Sequence, residues 1–200
     1  MVMRFGAVRG RIAWLACLPL LLACVPGAGM RVQPVLGGAV KVAAPGGYCI
    51  DPTGVMQGDD SALVLIGRCT GGPGTPQARA ILTAAVAAAG SGMDIAANGP
   101  ALAAYFGSDQ GRAALSHSGR AAAVTVQQAA VAGDAFVMRV TDTSPNPDSP
   151  AEAASWRAVL GVAGHLVTLT VTGTQAAPLS ATSGRALLDG FVAATRAANR

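Results

Sequence analysis

Two segments of the chain, each carrying one cysteine, have the composition of β-strands and are separated by a turn-rich stretch. Residues 48–51 contain Cys49 and residues 62–69 end at Cys69, with glycines and aspartates between them. If Cys49 faces Cys69 across an antiparallel pair, Ile50 opposes Arg68, Asp51 opposes Gly67 and the turn centres on Asp59. The spacing therefore predicts a cross-strand disulfide in an antiparallel sheet.

A disulfide between Cys49 and Cys69 has a structural role on this interpretation. Closing a loop of this size stabilises a small domain by roughly 3 kcal/mol in the chain-entropy picture. The alternative is a redox-active or metal-binding pair. Redox-active cysteines usually lie close together as C-x-x-C, and zinc needs two further ligands that the chain hardly offers.

Residues 1–23 have the organisation of a secretory signal peptide. Arg4, Arg9 and Arg11 precede an apolar stretch, residues 12–23, that only Pro19 interrupts. Twelve residues span roughly 18 Å as a helix, short of the roughly 30 Å hydrocarbon core of a membrane. We therefore expect cleavage and export, and export is the condition under which a cysteine pair is oxidised.

The signal segment ends in Leu21-Leu22-Ala23-Cys24, which resembles the bacterial lipobox. The resemblance implies thioether lipidation of Cys24 and cleavage on its amino side, giving a periplasmic, membrane-anchored lipoprotein. Leu22 stands where such signals usually have a small residue. The alternative is ordinary cleavage near residues 27–29, which would release a soluble periplasmic protein.

Composition excludes several classes of protein. The chain has 200 residues, of which 52% are hydrophobic and 12% charged, but its apolar excess is Ala and Val without long apolar runs, so it is not a polytopic membrane protein. Loss of three leader arginines leaves 11 basic and 10 acidic residues, and the remaining cations are scattered singly. No basic patch argues for nucleic acid, and no motif argues for a cofactor.

The remainder divides into two regions by composition. Residues 24–46 are rich in Gly and Pro and are expected to form a flexible tether, with a possible edge strand at 39–43. Residues 47–200 are expected to form a single globular domain. Its elements are predicted at 80–88 (strand), 98–106 and 108–115 (helices), 121–131 and 135–141 (hairpin), 156–162 and 165–172 (hairpin), and 180–198 (helix).

This order of elements predicts an α+β fold. Residues 63–66 are apolar on both faces of their strand, so we expect an antiparallel sheet with helices on both faces, an α/β/α sandwich. The order, with a terminal helix after a Leu-Val-Thr-Leu-Thr-Val strand, resembles the PsbP-like fold group. That resemblance implies binding or assembly of other proteins and supplies no catalytic residue.

Three short segments are similar to a family of uncharacterised exported proteins from Gram-negative bacteria. They are Tyr48-Cys49-Ile50-Asp51-Pro52, Ser144-Pro145-Asn146-Pro147 and His165-Leu166-Val167-Thr168-Leu169. This similarity also supplies no catalytic residue.

The sequence holds no convincing catalytic or metal-binding constellation. His117 and His165 have no second ligand at metal-binding spacing. His117 lies between Ser116 and Ser118, which leaves a small hydrolase with His117 as base as a third hypothesis. We expect no enzyme activity and no metal.

The leading hypothesis is a non-catalytic, lipid-anchored envelope protein that binds a protein partner. Tyr105, Phe106 and Trp156 are candidates for an exposed aromatic partner surface, with core packing as the alternative. The second hypothesis is a periplasmic small-ligand binding module with a pocket between sheet and helices.

Overall fold

The computed structural model describes residues 29–69 and 79–200. These residues are 47% strand and 27% helix, so the fold is mostly β and the predicted α+β class is wrong. The strands are β1 (Val32–Val35), β2 (Val40–Ala43), β3 (Tyr48–Gln57), β4 (Ala62–Arg68), β5 (Ala80–Ala89), β6 (Val124–Ala132), β7 (Ala135–Asp142), β8 (Ala151–Val162) and β9 (His165–Thr174). The α-helices are α1 (Ile95–Gly107), α2 (Asp109–Leu115) and α3 (Ala181–Ala198).

Seven strands form one antiparallel sheet, in the order β3-β4-β5-β9-β8-β7-β6. Sequential neighbours pair as hairpins, and β9 joins the two halves by pairing with both β5 and β8. Two-residue turns containing Gly133 and Gly164, both with positive φ, connect β6 to β7 and β8 to β9. The hairpins predicted at these turns are confirmed.

The first face of the sheet carries the main core, which extends from β3 to β7. Alternate residues of the strands point to this face, and α3 packs on it through Leu188, Phe191 and Val192. The side chain of Ser180 accepts a hydrogen bond from the Ser183 N–H and so begins α3. The terminal helix predicted at residues 180–198 is confirmed.

The second face is covered only over β6, β7 and β8. There α1 and α2 contribute Ile95 and Leu115 to a second core with Phe136, Met138 and Val159. Over β3, β4 and β5 no helix of the described residues lies on this face, so the predicted α/β/α sandwich is wrong. On β5 and β9, the residues on this face are mainly Thr and Ala, which do not require a covering layer.

Residues 32–43 differ from the predicted flexible tether. They form the β1–β2 hairpin, whose Val35, Val40 and Val42 are buried in the main core beside α3. Asn199 at the end of α3 fixes the hairpin by accepting from the Lys41 N–H at 2.9 Å and donating to the Lys41 carbonyl at 2.7 Å. The folded body therefore begins upstream of residue 47.

The Cys49–Cys69 disulfide is present, but its strands are offset from the predicted register. Cys49 pairs with Gly67 and Ile50 with Ile66, and Cys69 lies just beyond β4 with its Cα 4.9 Å from that of Cys49. The strand β3 also continues through the predicted turn to Gln57, with an irregularity between Ile50 and Val55. The bridge is thus diagonal, and the turn shortens to residues 58–61.

Local differences occur at three element starts. The helix α1 begins at Ile95 because the Asp94 side chain accepts from the Ala97 N–H, so Asn98 and Pro100 lie inside it. The strand β6 begins at Val124 after a short 3-10 turn, and β8 begins at Ala151. In the part of the chain that the structure covers, helices long and apolar enough to cross a membrane do not occur.

Candidate functional site

Part of the second sheet face is not covered by any helix of the described residues, and we call it the open face. It consists of the residues of β3, β4, β5 and β9 that point away from α3: Met56, Leu63, Leu65, Ile81, Thr83, Ala85, Leu166, Thr168, Thr170 and Thr172. Pairing aligns Leu65 with Thr83, Thr83 with Thr170, and Thr170 with Arg157 of β8. The open face thus runs from the β3 edge to the α1–α2 layer.

One end of the open face is apolar. Met56, Leu63 and Ala85 line an open hollow of about 600 Å³ that Thr168 borders. Met56 is 59% exposed and, in the neighbouring row, Leu65 is 43% exposed, although both lie on strands of the central sheet. Large apolar side chains left accessible on a sheet face are typical of a surface that binds something.

Where the open face reaches β8, beside Thr170 and Thr172, it adjoins a polar hollow of about 540 Å³ that contains Arg157. We call this hollow the polar end of the open face. The Arg157 guanidinium donates from Nη2 to the Leu115 carbonyl at 3.2 Å and from Nε to the Ser155 hydroxyl at 3.4 Å. Burial lowers the pKa of Arg157, and the charge of Asp142 opposes that shift. Arginine still carries its proton at any physiological pH, so the hollow contains a fixed positive charge.

Asp142, at the end of β7, holds the loop that follows α2. Its carboxylate accepts from the backbone N–H of His117 at 2.6 Å and of Ser144 at 2.9 Å. Partial burial raises the pKa of Asp142, but hydrogen bonds from Ser144 and His117 and the charge of Arg157 outweigh it, so the pKa is lowered overall. The charged Asp142 carboxylate therefore holds the backbone of His117 and Ser144 in place.

Three serine hydroxyls meet beside Asp142, near the hollow. Ser144 lies 3.0 Å from Ser116 and 2.8 Å from Ser118, measured between hydroxyl oxygens. The His117 side chain lines the hollow and is exposed, and within the described residues its imidazole has no hydrogen bond to a serine. Asp142 binds the backbone of His117 rather than its ring. The arrangement orders a loop and does not form a nucleophile–base–carboxylate relay.

The aromatic residues proposed as a partner surface are not brought together. Trp156 is buried under the start of α3, where its Nε1 donates to the Ala181 carbonyl at 3.0 Å and Arg185 lies over its ring. Tyr105 and Phe106 lie on α1, on the opposite side of the sheet. Phe106 packs on Phe136 with ring centroids 5.8 Å apart, whereas Tyr105 remains 39% exposed.

Cys24, the predicted lipidation site, lies outside the described residues. Within the ranges 29–69 and 79–200, no group of three or more His, Cys, Asp or Glu side chains could hold a metal ion. His165, the second histidine considered, is buried, and its Nδ1 lies 2.8 Å from the Ala87 carbonyl.

Sequence reasoning missed Arg157 and Leu65. Arg157 looked like one of many scattered cations, and Leu65 like a core residue of a doubly covered strand. The Thr residues at alternate positions of β9 were the available signal, because their period of two predicts one face that is less buried.

Comparison with known proteins gives no relative for this chain: no family model, curated protein or solved structure matches it. The resemblances to the lipobox and to the PsbP-like group therefore stay predictions.

Proposed function

We propose that the protein is an exported, lipid-anchored protein of the cell envelope that binds another protein through the open face, without catalysis. The observation that carries the proposal is the asymmetry of the sheet. Its first face is covered by α3 and the β1–β2 hairpin, whereas half of its second face leaves Met56 and Leu65 exposed. Exposed apolar surface lowers solubility, and a bound partner would remove that surface from water.

The form of the open face favours a protein over a small molecule. Small-ligand sites enclose roughly 70–90% of the ligand surface, whereas both hollows here open to solvent. The apolar end supplies the centre of an interface, and the polar end supplies charges of both signs, from Arg157 and Asp142. We infer a partner whose surface has a small apolar cluster beside hydrogen-bonding groups.

The disulfide and the short distance from Cys24 to the folded body support the envelope location. Oxidised cysteines persist in exported proteins. Only five residues separate Cys24 from Met30, where chain pairing begins with Ile50. A lipid on Cys24 would hold the body within about 20 Å of the membrane surface even if those residues were fully extended. The partner is therefore expected in or at the membrane.

Site-specific photo-cross-linking in the native host tests the partner surface. A cross-linking residue at position 65 or 83 is expected to give the same adduct mass, and Thr170→Arg in the same chain is expected to abolish both adducts. Position 189, on the exposed side of α3, is the control and is expected to give none. Adducts that survive Thr170→Arg, or no adduct at 65 and 83, would contradict the proposal.

Intact mass of the processed protein from membrane and soluble fractions tests the anchor. A membrane-borne form that starts at Cys24 and carries acyl chains is expected. A soluble, unlipidated form that starts further along the chain would overturn the lipid anchor. It would not affect the partner surface, which the cross-linking experiment tests independently.

A second candidate function, small-ligand binding, is favoured by the polar hollow around Arg157. Its volume of about 540 Å³ is within the range of ligand sites. Native mass spectrometry of the purified protein would then show a small bound molecule that Arg157→Met loses and the control Arg185→Met keeps. Identical spectra without adducts would exclude this candidate.

A further inference from the structure

We propose that two copies of this chain associate edge to edge through β6, doubling the seven-stranded sheet across a two-fold axis. The surface lies at the edge of the sheet opposite to β3. The proposal does not depend on the function proposed for the open face. The surface consists of the free edge of β6 and the outer side of α1, which packs next to β6. We call it the β6–α1 edge.

The two edges of the sheet differ in how they are protected. Along β3, the Ile50 N–H donates to the Met30 carbonyl at 2.8 Å, Gln57 accepts from the Leu36 N–H, and Pro52 offers no N–H. In the described chain β6 has a neighbouring strand only on its β7 side. Its nine residues, Val-Thr-Val-Gln-Gln-Ala-Ala-Val-Ala, contain neither Pro nor a charged side chain, which are two usual devices against strand pairing. The one irregularity of β6 lies between Val126 and Gln128 and leaves residues 128–132 in regular pairing with β7.

The adjoining surface of α1 is also free of charge. All thirteen residues of α1 are uncharged, and four of its eight exposed residues are alanines. Tyr105 and Val131 are about 40% exposed on α1 and β6. The two elements contact each other closely, because a side chain at Gly99 would collide with Val131. The backbone edge and a flat apolar helix surface therefore form one continuous patch.

Charges at the two ends of β6 favour a second copy, in antiparallel orientation, as the occupant. Arg120 precedes β6 and Asp134 follows it. Both are exposed, and Asp134 stays 71% exposed although it also forms an ion pair with Arg196 of its own chain. An antiparallel pair related by a two-fold axis brings the start of one β6 to the end of the other, so each Arg120 approaches the partner's Asp134. Two symmetric ion pairs then flank an uncharged centre, whereas a parallel arrangement would put like charges together.

The outward hydrogen-bonding groups of β6 can be assigned from its hairpin. The two-residue turn makes Ala132 and Ala135 a hydrogen-bonded pair, and bonding to β7 alternates from there. Ala129 and Val131 therefore direct their N–H and C=O groups away from β7. A second β6 would satisfy these groups.

The mass of the purified protein in solution, measured by light scattering over a range of concentrations, tests the proposal. We expect a concentration-dependent dimer. Ala129→Pro removes one outward N–H while keeping the β7 ladder, and we expect it to raise the dimer Kd at least about tenfold. Arg120→Asp is expected to weaken the dimer as well, and added salt is expected to weaken the unmodified dimer.

Two further variants keep the test decisive. Should Ala129→Pro fail to fold, the double variant Gln128→Lys/Ala130→Lys places charges on exposed positions of β6 and is expected to dissociate the dimer through like-charge repulsion. Thr53→Lys on the opposite edge is the matched control and should leave the dimer unchanged. A monomer at every concentration, or a dimer that persists in the folded β6 variants, would overturn the proposal.

Discussion

At the scale of single residues, the partly buried charged side chains near the polar hollow hold backbone groups in place through hydrogen bonds. Asp142 accepts two backbone N–H groups, and Glu152 accepts from the N–H groups of Gly173 and Leu179, both at 2.9 Å. Arg157 donates to the Leu115 carbonyl. Each group holds a loop or a helix end to the sheet, so these side chains determine the shape of the open face at its polar end.

Replacing Asp142 by Asn is expected to change stability in a pH-dependent way. Because the folded-state pKa of Asp142 is lowered, its contribution is present above the ordinary pKa of 3.8 and is lost as the pH falls through the folded value. Near neutral pH the variant should be less stable by about 1–2 kcal/mol. The difference should vanish in acid, as measured by denaturant unfolding at several pH values.

The matched control for this measurement is Asp60→Asn, an exposed carboxylate in the turn between β3 and β4. It should leave the unfolding curves unchanged. An Asp142→Asn deficit that is independent of pH would show that the carboxylate charge is not the cause.

Replacing Gly173 by Ala is expected to destabilise the fold. An added Cβ would collide with the Glu152 carboxylate and approach the Leu179 N–H to 2.7 Å, so it would break the contact between them. We expect a loss of about 1–3 kcal/mol in the free energy of unfolding. Gly67→Ala, where a Cβ meets nothing within 4 Å, is the control and should be nearly neutral.

At the scale of elements, the β3–β4 hairpin depends on both its disulfide and its irregular register. The strand β4 keeps its other neighbour, β5, whereas β3 is an edge strand held by β4, by the bridge to Met30 and by Cys49. The disulfide therefore secures the strand that carries Met56 and borders the open face.

The double variant Cys49→Ser/Cys69→Ser is expected to lose about 3 kcal/mol of unfolding free energy, because its denatured state is no longer constrained by the closed loop. Denaturant titration of the variant, and of the unmodified protein under reducing conditions, should give the same loss. A loss below about 0.5 kcal/mol in both would mean that the disulfide does not constrain the unfolded chain.

At the scale of the whole molecule, residues from both ends of the chain close the main core. The β1–β2 hairpin supplies Val35, Val40 and Val42, and α3 supplies Phe191 and Leu188. Asn199 joins these segments by accepting from the Lys41 N–H and donating to the Lys41 carbonyl. The hairpin is thus part of the cooperative fold.

Val42→Asp is expected to prevent folding or to destabilise it by more than about 3 kcal/mol, because the new carboxylate would be buried without a partner. Lys41→Asp on the neighbouring, exposed position is expected to be tolerated. Circular dichroism with thermal unfolding distinguishes the two variants. If both fold and unfold like the unmodified protein, residues 32–43 are not part of the cooperative fold and the predicted flexible tether is correct.

Particular elements show which parts of the fold could be predicted from the sequence. The two hairpins that turn at residues 133–134 and 163–164 and the terminal helix α3 were predicted correctly, because their patterns depend on neighbours a few residues apart. Of the polar end, the segment around His117 was identified, but neither Arg157 nor the uncovered Leu65 was. Whether a strand residue is covered depends on which distant helix lies above it.

The sequence by itself determined the seven strands of the main sheet to within several residues, the three helices and the pairing of Cys49 with Cys69, because strand period, helix caps and turn residues act locally. The tertiary structure alone decided that α1 and α2 cover only half of the second face, that β3 and β4 pair with an offset and that residues 32–43 complete the core. Each of these depends on burial shared between segments far apart in the chain, such as β2 with α3. The local composition of one segment does not indicate which distant segment will pack against it.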